Sequence, residues 1–143
     1  IRGAGTAESS LRRQAEALGV RLVLLGPVPD SSLPELYRSA DVFAMPSRQE
    51  GFGYVFVEAA ACGVPIVAGR VDGSVDALVG GRLGLLVNPL SHEDVAQAIL
   101  DHLEGRSAPE FRNPSRLHAL TREEFGLARY RSRVDSILTR LGV

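Results

Sequence analysis

The amino-acid sequence predicts an α/β fold in which a parallel β-sheet is sandwiched between helices. Segments with helical periodicity alternate with short apolar runs, and the first three apolar runs stop at Gly or Pro. Short apolar runs bounded by such residues are typical of buried strands, and strands that alternate with helices favour a parallel sheet. At 143 residues the chain has the length of one domain with its own core.

Helical periodicity and end signals predict the helices. Gly19 stands just past the first amphipathic segment, where a helix commonly ends, and Pro34 is tolerated in a first helical turn. Ser91 and Asp94 have the spacing of a capping box. The predicted helices are Glu8–Leu18, Ser32–Ala40, a helix that ends at Gly63, Ser74–Val79, Glu93–Leu103 and a final helical region Ser115–Leu141.

The apolar runs predict the strands, which are Arg21–Leu25, Asp41–Met45, Pro65–Ala68 and Gly84–Val87. In an open parallel sheet, ligands bind outside the carboxyl ends of the strands. Three strand-to-helix loops would project from that edge, at residues 26–30, 46–53 and 69–74. These loops are therefore the expected location of a binding site.

The composition excludes several classes of protein. Hydrophobic residues make up 45% of the chain, which is ordinary for a soluble protein, and no apolar run approaches the roughly 20 residues of a membrane span. The single cysteine, Cys62, excludes a disulfide framework and a Cys-rich metal site. All 16 basic residues are Arg, so the chain offers no lysine for a phosphate-binding loop. We expect a cytoplasmic protein. We also expect no His-based metal centre, because the histidines fall on predicted surface helices: His92, His102 and His118.

The basic residues are unevenly distributed. The formal net charge is −1, but residues 106–143 carry 8 Arg against 4 acidic residues. This excess is too small to indicate nucleic-acid binding, and no basic patch interleaved with aromatics supports it. An Arg-rich end permits contact with a membrane surface, and solvation of helices is its simplest interpretation.

The segment E-G-F-G-Y-V-F-V-E-A-A-A-C-G, residues 50–63, carries the strongest functional signal. Gly51 and Gly53 permit close approach of the backbone to a ligand, and the helix that follows presents free N–H groups to an anion. Because this helix is almost wholly apolar, it is expected to be buried, which makes Glu58 unusual within it. Glu58 can accept two hydroxyl hydrogen bonds from a sugar ring, and Glu50 can reach the far side of the same pocket. Two solvated carboxylates, or pairing of Glu58 with a buried Arg, remain open alternatives.

Residues 40–68, A-D-V-F-A-M-P-S-R-Q-E-G-F-G-Y-V-F-V-E-A-A-A-C-G-V-P-I-V-A, resemble the donor-binding signature of retaining glycosyltransferases of family 4. These enzymes have the GT-B fold, which consists of two Rossmann-like domains. Residues 26–40, 84–99 and 125–138 resemble the flanking segments of the same family. The resemblance implies that the chain is the C-terminal, nucleotide-sugar-binding half of such an enzyme.

The resemblance also implies roles for individual residues. Glu50 matches the glutamate that lies against the transferred sugar and is called catalytic. The backbone of the loop formed by Gly51, Phe52 and Gly53 would contact that sugar. The implied reaction moves a hexosyl group from a UDP- or GDP-sugar to an acceptor hydroxyl, with retention of the anomeric configuration.

The nucleotide would be bound by the residues around this loop. Tyr54 and Val55 match the helix start whose amides hold the diphosphate, and Glu58 matches the glutamate that binds the ribose hydroxyls. Val28 matches a loop position whose backbone meets the base. The family needs no metal, and no cofactor is expected.

The sequence also departs from the family pattern. Asp76 stands where a Glu is usual, and Tyr54 replaces a common aliphatic residue. The family's N-terminal acceptor domain, and a strand and loop with an Arg/Lys clamp on the diphosphate, have no counterpart in this sequence. We therefore expect no transfer activity from this chain alone, and self-association through an open sheet edge. Two alternatives remain open: a non-catalytic donor-binding or regulatory module that pairs with another chain, and half of a sugar-nucleotide epimerase.

Overall fold

A computed structural model describes residues 5–142 and divides the chain into two compact units, Ile1–Glu35 and Leu36–Val143. Val28 belongs to the first unit, and the candidate residues from Glu50 to Glu58 belong to the second. Within the described range, no helix combines the length and the apolar character that crossing a bilayer requires.

The first unit contains the predicted amphipathic helix α1 (Glu8–Ala17). Gly19, just beyond it, has a φ of +64°, which glycine adopts without steric cost. The predicted strand Arg21–Leu25 is wrong, because the structure describes no strand at these residues. The sheet that the structure describes consists of three other strands. A 3₁₀ turn (Asp30–Ser32) leads into α2 (Leu33–Arg38).

The second unit is built around a parallel sheet with the strand order β1-β2-β3. Its strands are β1 (Phe43–Met45), β2 (Ile66–Gly69) and β3 (Leu85–Val87). All four residues of the central strand β2 are buried, and Val67 in it pairs with Leu85 of β3. The parallel pairing confirms the fold class that the alternation of apolar runs and helices predicts.

Helices follow each strand, and their ends carry the expected signals. The Oγ of Ser91 accepts a hydrogen bond from the amide of Asp94 at 3.1 Å, which caps the helix after β3. The side chain of Asn113 caps the next helix in the same way, by accepting from the amide of Arg116 at 3.0 Å. The helices of this unit are α3 (Tyr54–Ala61), α4 (Ser74–Ala77), α5 (His92–Leu103), α6 (Pro114–Phe125) and α7 (Leu127–Leu141).

The core lies where α3 and α6 pack together beside the sheet. Phe56 of α3, Ile66 of β2 and Leu117 of α6 are fully buried. Burial of each such side chain contributes about 1.5–3 kcal/mol. Gly63, after α3, has a φ of +78°, and a Cβ there would lie 2.6 Å from the Cβ of Pro114. The glycine therefore permits the close approach of α6 that completes this core.

His102 of α5 is buried, although the sequence places it on a surface helix. Its Nε2 lies 3.3 Å from the carbonyl oxygen of Ile66, and its Nδ1 lies 2.9 Å from the Oγ of Ser107. Because α5 packs on the sheet, burial lowers the pKa of His102, and the nearby Arg112 charge lowers this pKa further. His102 is thus a hydrogen-bonded core residue.

Candidate functional site

Two loops meet at the carboxyl edge of the sheet, one after β1 and one after β2. A Cβ on Gly69 would lie 2.2 Å from the carbonyl oxygen of Ser47. A Cβ on Gly73 would lie 2.1 Å from the carbonyl oxygen of Gly51. The two loops therefore touch through backbone atoms at places where any larger residue would force them apart.

Glu50 is fixed by hydrogen bonds to both loops. The amide of Gly73 donates to the carbonyl oxygen of Glu50 at 3.0 Å. The amide of Gly51 donates to Oε1 of the Glu50 side chain at 3.0 Å. The half-buried carboxylate is thus turned back over its own loop at the sheet edge.

Gly53 connects this loop to α3. Its φ of +85° is left-handed, and a Cβ there would lie 2.5 Å from the ring of Phe56. The position therefore requires glycine for both its conformation and its packing. Tyr54 and Val55 are the first two residues of α3. Because the first amides of a helix have no intrahelical acceptor, this end of α3 is suited to bind an anion.

The helix α3 is buried on one face only. Phe56, Ala59 and Ala60 are buried, whereas Tyr54 and Glu58 are exposed. The expectation of a wholly buried helix with a buried Glu58 is therefore wrong. The apolar composition of α3 does not imply complete burial, because its small Ala residues occupy exposed as well as buried positions. Glu58 lies one turn beyond Tyr54, on the face that solvent can reach.

The Glu58 carboxylate has a specific partner that the sequence did not reveal. The hydroxyl of Tyr37, in α2, donates a hydrogen bond to Oε2 of Glu58 at 2.8 Å. Tyr37 is only 8% exposed, and its ring meets the ring of Phe43 edge to face at 5.6 Å. Phe43 in turn packs edge to face on Phe56 at 5.8 Å. A chain of aromatic rings therefore holds the phenol hydroxyl beside the exposed carboxylate.

Phe52 is held by two aromatic neighbours. Its ring lies 5.2 Å from that of Tyr54 and 5.9 Å from that of Phe125, the last residue of α6. The side chain of Phe52 is thus occupied by packing, and the backbone of the loop is the part that remains available for a ligand.

The loop after β2 contains buried polar atoms. Oδ1 of Asp72 accepts a hydrogen bond from the amide of Ser74 at 3.0 Å, which closes a tight turn. Oδ2 of Asp72 and Oγ of Ser74 are buried without a partner within the described protein. The hydrogen bonds within this turn hold Gly73 against the Glu50 loop.

The other candidates occupy less specific surroundings. Val28 is half-buried in the loop between Pro27 and Pro29 of the first unit. Arg48 is exposed, and Cys62 is half-buried at the end of α3 rather than in the core. Among residues 5–142, no cluster of three or more His, Cys, Asp or Glu side chains could hold a metal ion.

The site and the sheet together define a class of protein. A Gly-rich loop leads from a parallel strand into a helix N-terminus, with a carboxylate on either side, as in Rossmann-like proteins that bind nucleotides or their derivatives. The chain belongs to the family of glycosyl transferases group 1, whose model matches residues 1–105.

Curated relatives agree with this assignment. The D-inositol 3-phosphate glycosyltransferase of Corynebacterium glutamicum is 41% identical over 109 residues, which are 73% of this chain and 26% of that protein. The GDP-mannose-dependent alpha-(1-6)-phosphatidylinositol monomannoside mannosyltransferase of Mycolicibacterium smegmatis is 38% identical, over 72% of this chain and 29% of that protein. The chain therefore spans about a quarter of the length of these relatives.

Solved structures support the same fold. The structure of Anabaena HepE in complex with UDP is 27% identical with a TM-score of 0.80, over 97% of this chain and 39% of that chain. WaaG, a glycosyltransferase involved in lipopolysaccharide biosynthesis, is 22% identical with a TM-score of 0.73, over 96% of this chain and 37% of that chain. At this sequence identity, the likeness to WaaG supports the fold and no more. The comparisons confirm the predicted Rossmann-like half of a GT-B glycosyltransferase, and the roles of individual site residues stay predictions.

Proposed function

We propose that this chain is the donor-binding part of a retaining glycosyltransferase, which moves a hexosyl group from a nucleoside diphosphate to an acceptor hydroxyl. Membership of the glycosyl transferases group 1 family and the likeness to HepE, whose structure contains UDP, support the proposal. The observation that carries it is the Gly-rich turn, fixed through Gly73, that leads into α3 and its exposed Glu58.

The residues of this corner suit the parts of a nucleotide sugar. The amides that begin α3, at Tyr54 and Val55, would hold the diphosphate, because the first turn of a helix attracts negative charge. The loop backbone from Gly51 to Gly53 would contact the sugar. Glu58 would accept hydrogen bonds from the ribose hydroxyls, because an ionised carboxylate offers acceptors only.

Glu50 would lie against the transferred sugar, and the backbone at Val28 would meet the base. During transfer, the bond between the anomeric carbon and the diphosphate breaks and the acceptor oxygen bonds to that carbon. The acceptor hydroxyl loses its proton in this step, and the departing diphosphate can accept it. Negative charge develops on the departing diphosphate, and the fixed amides of the first turn of α3 would stabilise it.

The proposal includes a second domain. Because the chain spans about a quarter of the length of its relatives, we propose that an N-terminal domain of the longer enzyme binds the acceptor, and that this chain alone does not transfer sugar. The expected cytoplasmic location, contact of the intact enzyme with a membrane surface and self-association of this chain stay predictions.

Nucleotide titration tests the proposed function. UDP, GDP and ADP are titrated into the chain by calorimetry, beside Glu58→Ala and the control Glu123→Ala, which removes the same charge from the exposed face of α6. We expect one nucleotide to bind best, Glu58→Ala to weaken it and Glu123→Ala to leave it unchanged. Equal binding by all three proteins would contradict the proposed role of Glu58.

A further inference from the structure

We propose that Tyr37 is a positioning residue that sets the Glu58 carboxylate for a pair of neighbouring hydroxyl groups, and so makes the site prefer ribonucleotides over 2′-deoxyribonucleotides. This inference rests on the proposed function. It adds a residue from another helix that touches no ligand and acts through Glu58.

The geometry separates a rigid donor from an adjustable acceptor. Tyr37 is 8% exposed, and its ring is packed edge to face against Phe43, so the phenol oxygen has a fixed position. Glu58 lies on the exposed face of α3, where a long side chain samples several rotamers unless something holds it. The 2.8 Å hydrogen bond from the Tyr37 hydroxyl to Oε2 selects among those rotamers.

The hydrogen bond also determines what the carboxylate can still accept. A carboxylate has about four acceptor positions on its two oxygens. Tyr37 occupies one position on Oε2, which leaves Oε1 and the other side of Oε2 available to hydroxyl donors. Two hydroxyls on adjacent carbons of one ring can therefore donate to one carboxylate, one to each oxygen. A ligand with a single hydroxyl there gains only part of this interaction.

Preorganisation gives the residue a measurable effect. A carboxylate that already has its binding orientation loses less conformational freedom when the ligand arrives. The benefit applies to the ligand that uses both oxygens, so it should favour the diol over the 2′-deoxy compound. A purely structural hydrogen bond would instead affect both ligands equally.

The substitution Tyr37→Phe tests this directly, because it keeps the ring against Phe43 and removes only the hydroxyl. UDP, 2′-deoxy-UDP, GDP and 2′-deoxy-GDP are titrated into the unsubstituted chain, Tyr37→Phe, Glu58→Gln and the double variant. Tyr130→Phe is the matched control, because it removes a phenol hydroxyl from the exposed surface of α7. Thermal melting of each protein reports whether its fold is retained.

We expect Tyr37→Phe to weaken ribonucleotide binding by about three- to tenfold and to leave 2′-deoxyribonucleotide binding nearly unchanged. Glu58→Gln should remove most of the ribose preference, and Tyr37→Phe should add little in its presence. Tyr130→Phe should behave as the unsubstituted chain.

The two hypotheses fail in different ways. If Glu58→Gln abolishes the ribose preference while Tyr37→Phe retains it, the positioning role is wrong and the donor site stands. Equal weakening of both kinds of nucleotide by Tyr37→Phe would also overturn the positioning role, since that pattern is structural. If Glu58→Gln leaves the preference intact, or the unsubstituted chain binds no nucleotide, both the donor-site assignment and the inference are overturned.

Discussion

The ring of Phe52 meets the ring of Phe125 edge to face, with centroids 5.9 Å apart and planes at 79°. Phe52 belongs to the Gly-rich turn before α3, and Phe125 is the last residue of α6. The contact therefore ties the turn to the point where α6 ends and α7 begins. A loop held by packing in this way can keep its backbone groups directed at a ligand.

Loss of this ring contact should loosen the turn. We expect Phe125→Leu to weaken nucleotide binding by about two- to tenfold, because an aromatic pair contributes about 0.5–1.5 kcal/mol beyond its burial. Phe111→Leu is the control, since Phe111 packs edge to face on His102 away from the turn. Calorimetric titration should show weakened binding for Phe125→Leu only, and equal affinities of the two variants would contradict the anchoring role.

Gly73 should be intolerant of any side chain. Its Cβ would lie 2.1 Å from the carbonyl oxygen of Gly51, so Gly73→Ala must push the Glu50 turn away. We expect a loss of about 1–3 kcal/mol in the free energy of unfolding, together with weaker nucleotide binding. Urea unfolding and calorimetry measure the two effects.

A matched steric control separates these two effects. A Cβ on Gly84 would lie 2.7 Å from the carbonyl oxygen of Ile66, within the sheet and away from the turn. Gly84→Ala should therefore destabilise the protein to a similar degree while the folded molecules keep their affinity. A parallel loss of affinity in Gly84→Ala would mean that Gly73→Ala acts through stability alone.

The sequence predicted the strands that short local signals mark. The strands β1, β2 and β3 lie within two residues of their predicted bounds, because short apolar runs mark all three and Pro or Gly ends the runs of β1 and β2. The segment Arg21–Leu25 has the same signal and forms no strand. An apolar run therefore marks a possible strand and does not by itself decide that a strand forms.

The site was predictable in part for the same reason. The turn from Glu50 to Gly53 and the start of α3 are continuous in sequence, and their geometry follows from two glycines and a helix end. The contact between Tyr37 and Glu58 joins residues 21 positions apart on different helices. No local pattern encodes such a contact. Similarly, helical spacing could not reveal that His102 faces the sheet.

His102 should make the stability of the fold depend on pH. The carbonyl oxygen of Ile66 can only accept, so Nε2 carries the proton and Nδ1 accepts from the Ser107 hydroxyl. Burial lowers the pKa of His102 in the folded state below its unfolded value of about 6.5. The stabilising contribution is therefore complete above that value and is lost as the pH falls through it towards the folded pKa.

Urea unfolding between pH 8 and pH 5 checks this dependence. The contribution of one such proton to the slope is at most about 1.4 kcal/mol per pH unit. We expect His102→Gln to be less stable at pH 8 and to lose less stability on acidification than the unsubstituted protein. His92→Gln, at the exposed start of α5, should follow the unsubstituted protein. Identical pH profiles of stability for all three proteins would show that folding does not lower the pKa of His102.

The two carboxylates of the site should separate by ligand. Glu58, on α3, is proposed to bind the ribose, which UDP and UDP-glucose share, so Glu58→Gln should weaken both ligands by the same factor. Glu50 is proposed to lie against the transferred sugar, and its Oε1 already accepts from the amide of Gly51. Glu50→Gln should therefore weaken UDP-glucose by about three- to tenfold and leave UDP nearly unchanged.

In each variant, the affinity for UDP serves as the reference for the affinity for UDP-glucose. A general loss of folding weakens both ligands and therefore cancels in their ratio. If Glu50→Gln weakens UDP as much as UDP-glucose, Glu50 acts by shaping the turn rather than by touching the sugar. That result is physically reasonable, because an amide side chain at this position can present its N–H₂ group to the Gly51 N–H and disturb the loop. Glu50→Asp then distinguishes the two roles, because it keeps the carboxylate acceptor but shortens its reach. If this variant recovers UDP binding without recovering UDP-glucose binding, the proposed contact between Glu50 and the sugar is supported.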